Sequence, residues 1–394
     1  MNAALIIALV TLGYCLVARR LSQSVVTAPM VFIATGFALA SFGGEEAELG
    51  HALHAVAEVA LVVLLFLDAA RTDLGSLSSH RQWPVRMLAL GLPLAIVLGT
   101  LVIAPLVPGW PLAAAALAAA ILAPTDAALG QAVLDNPEVP ERQRQALTVE
   151  SGLNDGLALP AILMLASLVA GIETREAGYW LGFAAQQVIL GPLAGLAVGW
   201  IGAQALDTAT RQGSTSEAFE GIATLALAGG AYLLADLIGG NGFIAAFTGG
   251  LVFGNTTRQK SDFIYEFAEG EGQMLAWAAF LLIGYGPMPA AVAALTWPML
   301  GAILASLLVV RPLAIWLALA GTGADPKTRL FFGWFGPRGL ATALFALLVV
   351  PQIDPEQAEP ILHLAVNAVW ISALLHGITA APGARLFARA MQRG

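Results

Sequence analysis

Apolar runs long enough to cross about 30 Å of hydrocarbon recur from one end of the chain to the other, and no polar block between them could build a separate soluble domain. Only 11% of the 394 residues are Asp, Glu, Lys or Arg, against roughly 25% in a typical soluble domain. The expected fold class is an all-α polytopic membrane protein. The net charge of -8 comes with no basic cluster, which argues against a nucleic-acid partner. The single cysteine, Cys15, lies in the first apolar run with no disulfide partner. "MNAALIIALVTLGYCLVARR" resembles a signal peptide only superficially, since its positive charge follows the apolar run, so a retained first helix with its N-terminus outside is expected.

Windows bounded by Gly, Pro and charge give about thirteen spans: 3 to 20, 25 to 42, 52 to 70, 84 to 107, 111 to 135, 146 to 171, 177 to 205, 218 to 237, 240 to 256, 262 to 286, 297 to 320, 328 to 350 and 359 to 386. With the N-terminus outside, the inner loops carry Arg19 and Arg20, then Arg71, Arg81 and Arg86, Arg142 and Arg144, Arg211, Arg258 and Lys260, Lys327 and Arg329, and Arg385, Arg389 and Arg393. The outer loops hold only Arg175 and show acidic stretches such as "GGEEAEL" and "QIDPEQAEP". An odd number of spans therefore satisfies the positive-inside rule at every loop.

Two spans are broken at their middles: span 5 by Pro124, Thr125 and Asp126 in "ILAPTDAALG", and span 12 by Gly336, Pro337, Arg338 and Gly339 in "FGWFGPRGLATA". Five and twelve differ by seven, so with span 7 as a link the chain reads as two inverted six-helix repeats, with two discontinuous helices crossing at mid-membrane. Paired broken helices in two such halves point to a midplane binding site of a secondary transporter.

Span 6 carries the polar stretch "ESGLNDG". At 3.6 residues per turn Glu150 and Asn154 lie one turn apart, as do Ser151 and Asp155, and all four face one side. Asp155 lies about nine residues, or roughly 13 Å, from the inner surface. Each ionised group at a helix centre costs roughly 2.5 to 3.5 kcal/mol, so Asp126, Glu150, Asp155 and Arg338 would cost about 10 to 14 kcal/mol unpaired. A protein has only about 5 to 15 kcal/mol of stability. One arginine can neutralise Glu150 or Asp126, which leaves at least one negative charge for a proton or a cation. Oxygen ligands suit a small hard cation, and His51, His54, His80, His363 and His376 all fall outside the cluster. A group that binds either ion, but not both, makes an exchanger.

"PTD" in span 5, "ESGLND" in span 6 and "WFGPRG" in span 12 resemble the signatures of monovalent cation:proton antiporter family 1, which holds the NhaP-type antiporters and the eukaryotic sodium/proton exchangers. The likeness extends to "LFLDAARTDL" and "GNGFIAAFTGGLVFG". It implies a homodimer with a dimerisation bundle over 1–83 and 206–296, an ion-translocating core over 84–171 and 297–394, and a linking helix over 177–205. It also implies that Asp155 binds ion or proton, that Ser151 and the Thr125 carbonyl help to coordinate, and that Asp126 supports the site. Asn154 would orient Glu150, which would pair with Arg338. Asn154 stands where the electrogenic relatives carry a second Asp, which implies one-for-one electroneutral exchange. Pro337 departs from the Leu of the eukaryotic branch and points to a prokaryotic one. A long cytoplasmic tail like that branch's is not expected.

Blander roles compete at several positions. Asp126 could only cap the half-helix after Pro124, Glu150 with Arg338 could be a locked structural pair, and Ser151 could bond back to a carbonyl one turn earlier. Glu58, Asp68, Asp236 and Arg311 are expected to snorkel or pair locally near span ends. Gly191, Gly195 and Gly199 form a small-residue ridge for close packing against a neighbouring span or a second subunit. The expectation is a sodium (or lithium)/proton antiporter serving pH homeostasis in a prokaryotic plasma membrane, with the N-terminus outside and the C-terminus cytoplasmic. It needs no cofactor and is not an enzyme. Potassium/proton exchange on the same scaffold is the alternative. An intramembrane hydrolase using Asp126 and Asp155 as a dyad is disfavoured because the chain lacks "GxGD" and "HExxH", and a channel because a deep carboxylate binds too tightly for fast conduction.

Overall fold

The computed structural model describes residues 3–21, 24–41, 49–72, 81–134, 136–171, 177–257 and 262–392, whose regular elements are all helices with no strand among them. In chain order the helices are α1 (Ala3–Leu21), α2 (Ala28–Ala40), α3 (Leu49–Ala70), α4 (Gln82–Leu106), α5 (Leu112–Ile121), α6 (Ala127–Leu134), α7 (Glu141–Val169) and α8 (Ala177–Arg211). There follow α9 (Glu217–Leu237), α10 (Gly242–Thr256), α11 (Asp262–Tyr285), α12 (Pro287–Ala293), α13 (Trp297–Ala318), α14 (Pro326–Trp334), α15 (Leu340–Val349) and α16 (Pro355–Gln392). Every expected window holds helix. By length and composition eight helices can each cross a bilayer, or nine when α11 and α12, bent by 45°, count as one. The number thirteen rests on the sequence pattern.

The interruptions have local causes. Pro124 and Pro337 lack the N–H an uninterrupted helix needs, and the chain is non-helical between α5 and α6 and between α14 and α15. Pro93 and Pro312 act more gently: each follows a single wide turn, Met87–Gly91 in α4 and Ser306–Val310 in α13. The Leu92 N–H donates to the Met87 carbonyl and the Arg311 N–H to the Ser306 carbonyl, five residues back instead of four, which gives the proline ring room. α4 and α13 occupy corresponding places in the two repeats, and each wide turn runs into the shared word "PLAI", at 93–96 after Leu92 and at 312–315 after Arg311.

Packing gathers the helices into two groups. In one, α10 lies against α8, α3 and α9, while α11 lies against α2 and α3. The Gly191, Gly195 and Gly199 ridge of α8 meets α10 of the same chain: a methyl group on Gly195 would fall 2.3 Å from the Ala245 carbonyl oxygen, and one on Gly199 2.3 Å from that of Gly249. In the other group α4, α5, α13 and α16 share one apolar cluster that includes Ile103, Leu122, Ile303 and Leu364. The helix expected over 177–205 runs on unbroken to Arg211. Asp155 is the middle residue of the 29-residue α7.

Candidate ion-binding site

The two chain breaks cross and are bonded to each other. The Asp126 N–H donates to the Pro337 carbonyl (2.9 Å), and the Leu340 N–H, first in α15, donates to Asp126 Oδ2 (2.6 Å). Asp126 therefore caps a half-helix, but the one belonging to the opposite repeat, and its charge sits at the positive end of the α15 dipole. Gly339 makes this approach possible, since a methyl group there would lie 1.8 Å from Asp126 Oδ2.

α7 runs beside the crossing and presents Glu150, Ser151, Asn154 and Asp155, all buried. The Thr125 hydroxyl lies 3.2 Å from Glu150 Oε2 and 3.1 Å from Ser151 Oγ, and accepts a hydrogen bond from Asn154 Nδ2 (2.7 Å). Asn154 Nδ2 also lies 3.4 Å from Glu150 Oε1. The structure thus brings Thr125, Asp126, Glu150, Ser151, Asn154 and Asp155 into one buried cluster.

The partner of Glu150 differs from the expectation. Arg311, not Arg338, holds it, with Nη1 to Oε1 and Nη2 to Oε2 both at 3.1 Å. Nor does Arg311 snorkel to a span end. It is buried, closes the wide turn of α13, and reaches the crossing because Gly336 leaves room: a methyl group there would lie 1.6 Å from Arg311 Nε. The repeated "PLAI" would have signalled this, since it aligns Arg311 with Leu92 and exposes one charge that the other half lacks.

Arg338 is buried too. It donates through Nη1 to the Gly336 carbonyl, while its Nε and Nη2 have no hydrogen-bond partner. Its backbone N–H donates to Ser372 Oγ (2.7 Å), and Ser372 Oγ lies 3.0 Å from His376 Nδ1. His376 Nε2 lies 3.1 Å from the Trp334 carbonyl at the end of α14, so Ser372 and His376 of α16 fasten both ends of the second break. Ser372 was not singled out from sequence, and His376, expected to lie apart from the cluster, stands against the second break instead; a serine and a histidine in an apolar helix carry no spacing signal of their own. Glu58, expected to pair locally, accepts a hydrogen bond from the Tyr232 hydroxyl and lies 4.0 Å from His54 Nε2.

Within this cluster Asp155 Oδ1 and Asn154 Oδ1 are buried without a hydrogen-bond partner. Among the described residues no basic side chain lies within ion-pairing distance of Asp155. Nor does any group of three His, Cys, Asp or Glu among those residues suit a metal ion. A cavity of about 710 Å³ lies between α1, α2 and α11 on one side and α6 and α16 on the other, lined by Tyr14, Trp277, Leu129, Asn136 and Arg385 among others. Elsewhere between the two groups, Phe243 of α10 stands edge-on to Phe345 of α15 with ring centres 6.2 Å apart.

A profile of the family described as "Sodium/hydrogen exchanger, transmembrane" matches residues 5–385. The K(+)/H(+) antiporter NhaP2 of Shewanella oneidensis is 28% identical over 275 residues, 68% of this chain and 46% of its own length. The K(+)/H(+) antiporter NhaP of Alkalimonas amylolytica is 26% identical over 340 residues, 84% of this chain and 57% of its own. The chain thus spans about half the length of the curated relatives it matches. The sodium proton antiporter MjNhaP1 from Methanocaldococcus jannaschii, in a structure at pH 8, superimposes with a TM-score of 0.78 at 19% identity, covering 98% of this chain and 97% of its own.

Proposed function

The chain belongs to the sodium/hydrogen exchanger family, and on that premise we propose that it exchanges one sodium or lithium ion for one proton by alternating access, with Asp155 as the group that holds either ion. The observation that carries this reading is the balance of buried charge. Three carboxylates, Asp126, Glu150 and Asp155, share the pocket with two guanidinium groups, Arg311 and Arg338. One negative charge remains, and a single proton or a single alkali cation cancels it. Glu150 is taken by Arg311 and Asp126 receives the α15 N-terminus, which leaves the residual charge at Asp155. Its Oδ1 and that of Asn154 supply two buried acceptors, to which Ser151 Oγ, the Thr125 hydroxyl and carbonyl and other carbonyls at the breaks can be added as further oxygens.

The two packing groups support alternating access. The bundle of α1 to α3 and α9 to α11 stays put as the homodimer platform, while the core of α4 to α7 and α13 to α16 moves against it. α1, which has no buried residue, offers surface to a second subunit. With the arginine-rich loops on the cytoplasmic side of a prokaryotic plasma membrane, the 710 Å³ cavity, lined by Ser24, Asn136 and Arg385, would face inward and the Phe243–Phe345 contact would lie toward the outer side. In proteoliposomes carrying a pH gradient, sodium added to the wild type is expected to drive proton movement. Asp155→Asn should reduce this to the level of empty vesicles; exchange at the wild-type rate would remove Asp155 from the role.

A second reading, potassium/proton exchange at the same site, is favoured by the names of the two curated relatives. A panel of lithium, sodium, potassium and rubidium in the same assay separates the two, since a proton response to potassium but not sodium would replace the first by the second.

A further inference from the structure

Gly156, the residue after Asp155, has a carbonyl that its own helix cannot serve. In an α-helix that oxygen accepts the N–H of the residue four further on, which here is Pro160 and has none. A buried carbonyl left bare beside the ion-binding carboxylate is costly and free to shift. The donor comes from another element: Asn241 Nδ2, at the start of α10, donates to the Gly156 oxygen at 3.0 Å. Asn241 Oδ1 meanwhile accepts the Ile244 N–H at 3.0 Å and caps α10. The orientation of the carboxamide is fixed by its surroundings, since turning it over would set nitrogen against N–H and oxygen against carbonyl.

The surrounding packing makes this a contact between the two helix groups. On α7, a methyl group at Gly156 would fall 2.3 Å from Ile244 Cγ1 and one at Gly152 2.2 Å from the Phe247 ring, so α7 approaches α10 through glycines. α10 is in turn seated on α8 along the glycine ridge and on α3, where methyl groups at Gly250 and Gly254 would lie 2.0 Å and 1.9 Å from the Phe66 and Ala70 carbonyl oxygens. Asn241 thus stands on a firmly held helix and reaches the one backbone position on α7 that Pro160 has stripped of its partner.

We propose that Asn241 is a positioning residue for exchange: its carboxamide replaces the N–H that Pro160 lacks, and so holds the turn of α7 bearing Asp155 in its ion-binding geometry. This rests on the antiporter reading, and a wild-type protein without cation/proton exchange would overturn that reading, not this one.

The test is the half-saturating cation concentration of purified full-length protein in proteoliposomes, alongside melting temperature in detergent. Asn241→Ala is expected to raise that concentration roughly three- to tenfold, the equivalent of one lost hydrogen bond to a buried group. Asn241→Asp keeps an oxygen for the Ile244 N–H but sets a second oxygen, with no donor, against the buried Gly156 carbonyl, and should raise it at least as much while also lowering the melting temperature. Pro160→Ala restores a backbone N–H to the Gly156 carbonyl, so in that background Asn241→Ala should change the value less than about twofold. Wild-type half-saturation in Asn241→Asp overturns the proposal, whatever Pro160→Ala does on its own. An equal effect of Asn241→Ala with and without Pro160, or a change confined to melting temperature, overturns it as well.

Discussion

Arg311 grips Glu150 through two parallel N–H groups in a pocket closed to solvent, so removing one partner is far worse than removing both. Arg311→Ala leaves a bare carboxylate beside two others and should cost about 3 to 5 kcal/mol. Replacing the pair by Met at 311 and Leu at 150 leaves no unmatched charge, and its melting temperature in detergent should lie closer to wild type than that of Arg311→Ala. A double variant melting lower than the single one would show that the ion pair is not the main stabilising contact there. At this scale the sequence was informative wherever charge and spacing coincided. Glu150, Ser151, Asn154 and Asp155 were legible because polar groups at i and i+4 in an apolar helix have one face to share. Arg311 was misread as lying near a span end although it stands nine residues inside the 297–320 window, as deep as Asp155; its aim is set by the wide turn before Pro312 and by the missing side chain at Gly336.

Helices α4 and α13 carry the same proline-induced wide turn, yet only α13 uses it to aim a charge. Pro312→Ala gives residue 312 an N–H, lets α13 close to regular spacing, and rotates Arg311 away from Glu150. Exchange should fall at least tenfold, because the rotation breaks a buried charge-assisted pair. Pro93→Ala makes the same repair in α4, where Leu92 stands in place of the arginine, and should retain activity within about twofold, as for a change away from charged contacts. Equal losses from both would mean that the bend itself, not the aim of Arg311, is what counts. The two breaks at Pro124 and Pro337 were visible in the sequence because proline there lies among glycine and charge. The wide turns were not, since a proline inside a long apolar run is equally compatible with a kink that leaves the helix intact. The short α12 was missed because "GPMPAAVAA" reads as a loop until Pro287 is seen to begin a helix.

For the whole molecule, the balance of buried charge sets how transport responds to voltage. If the pocket passes between neutral protonated and neutral cation-loaded forms, no net charge crosses the bilayer in a cycle. An imposed potential, worth about 2.3 kcal/mol per elementary charge per 100 mV, should leave the exchange rate in proteoliposomes unchanged. A rate that follows the potential would mean that more than one charge is exchanged per cation, and that Asp126 or Glu150 titrates as well. The bonds across the crossing bear on how such a cycle can run. Because the Asp126 carboxylate holds the first turn of α15, and the Pro337 carbonyl holds the Asp126 amide, neither broken helix can be withdrawn without tearing the other. On the proposed exchange cycle these bonds favour a ligand cage that travels whole and is emptied by the water it meets at each end of its stroke, over one prised apart wall by wall.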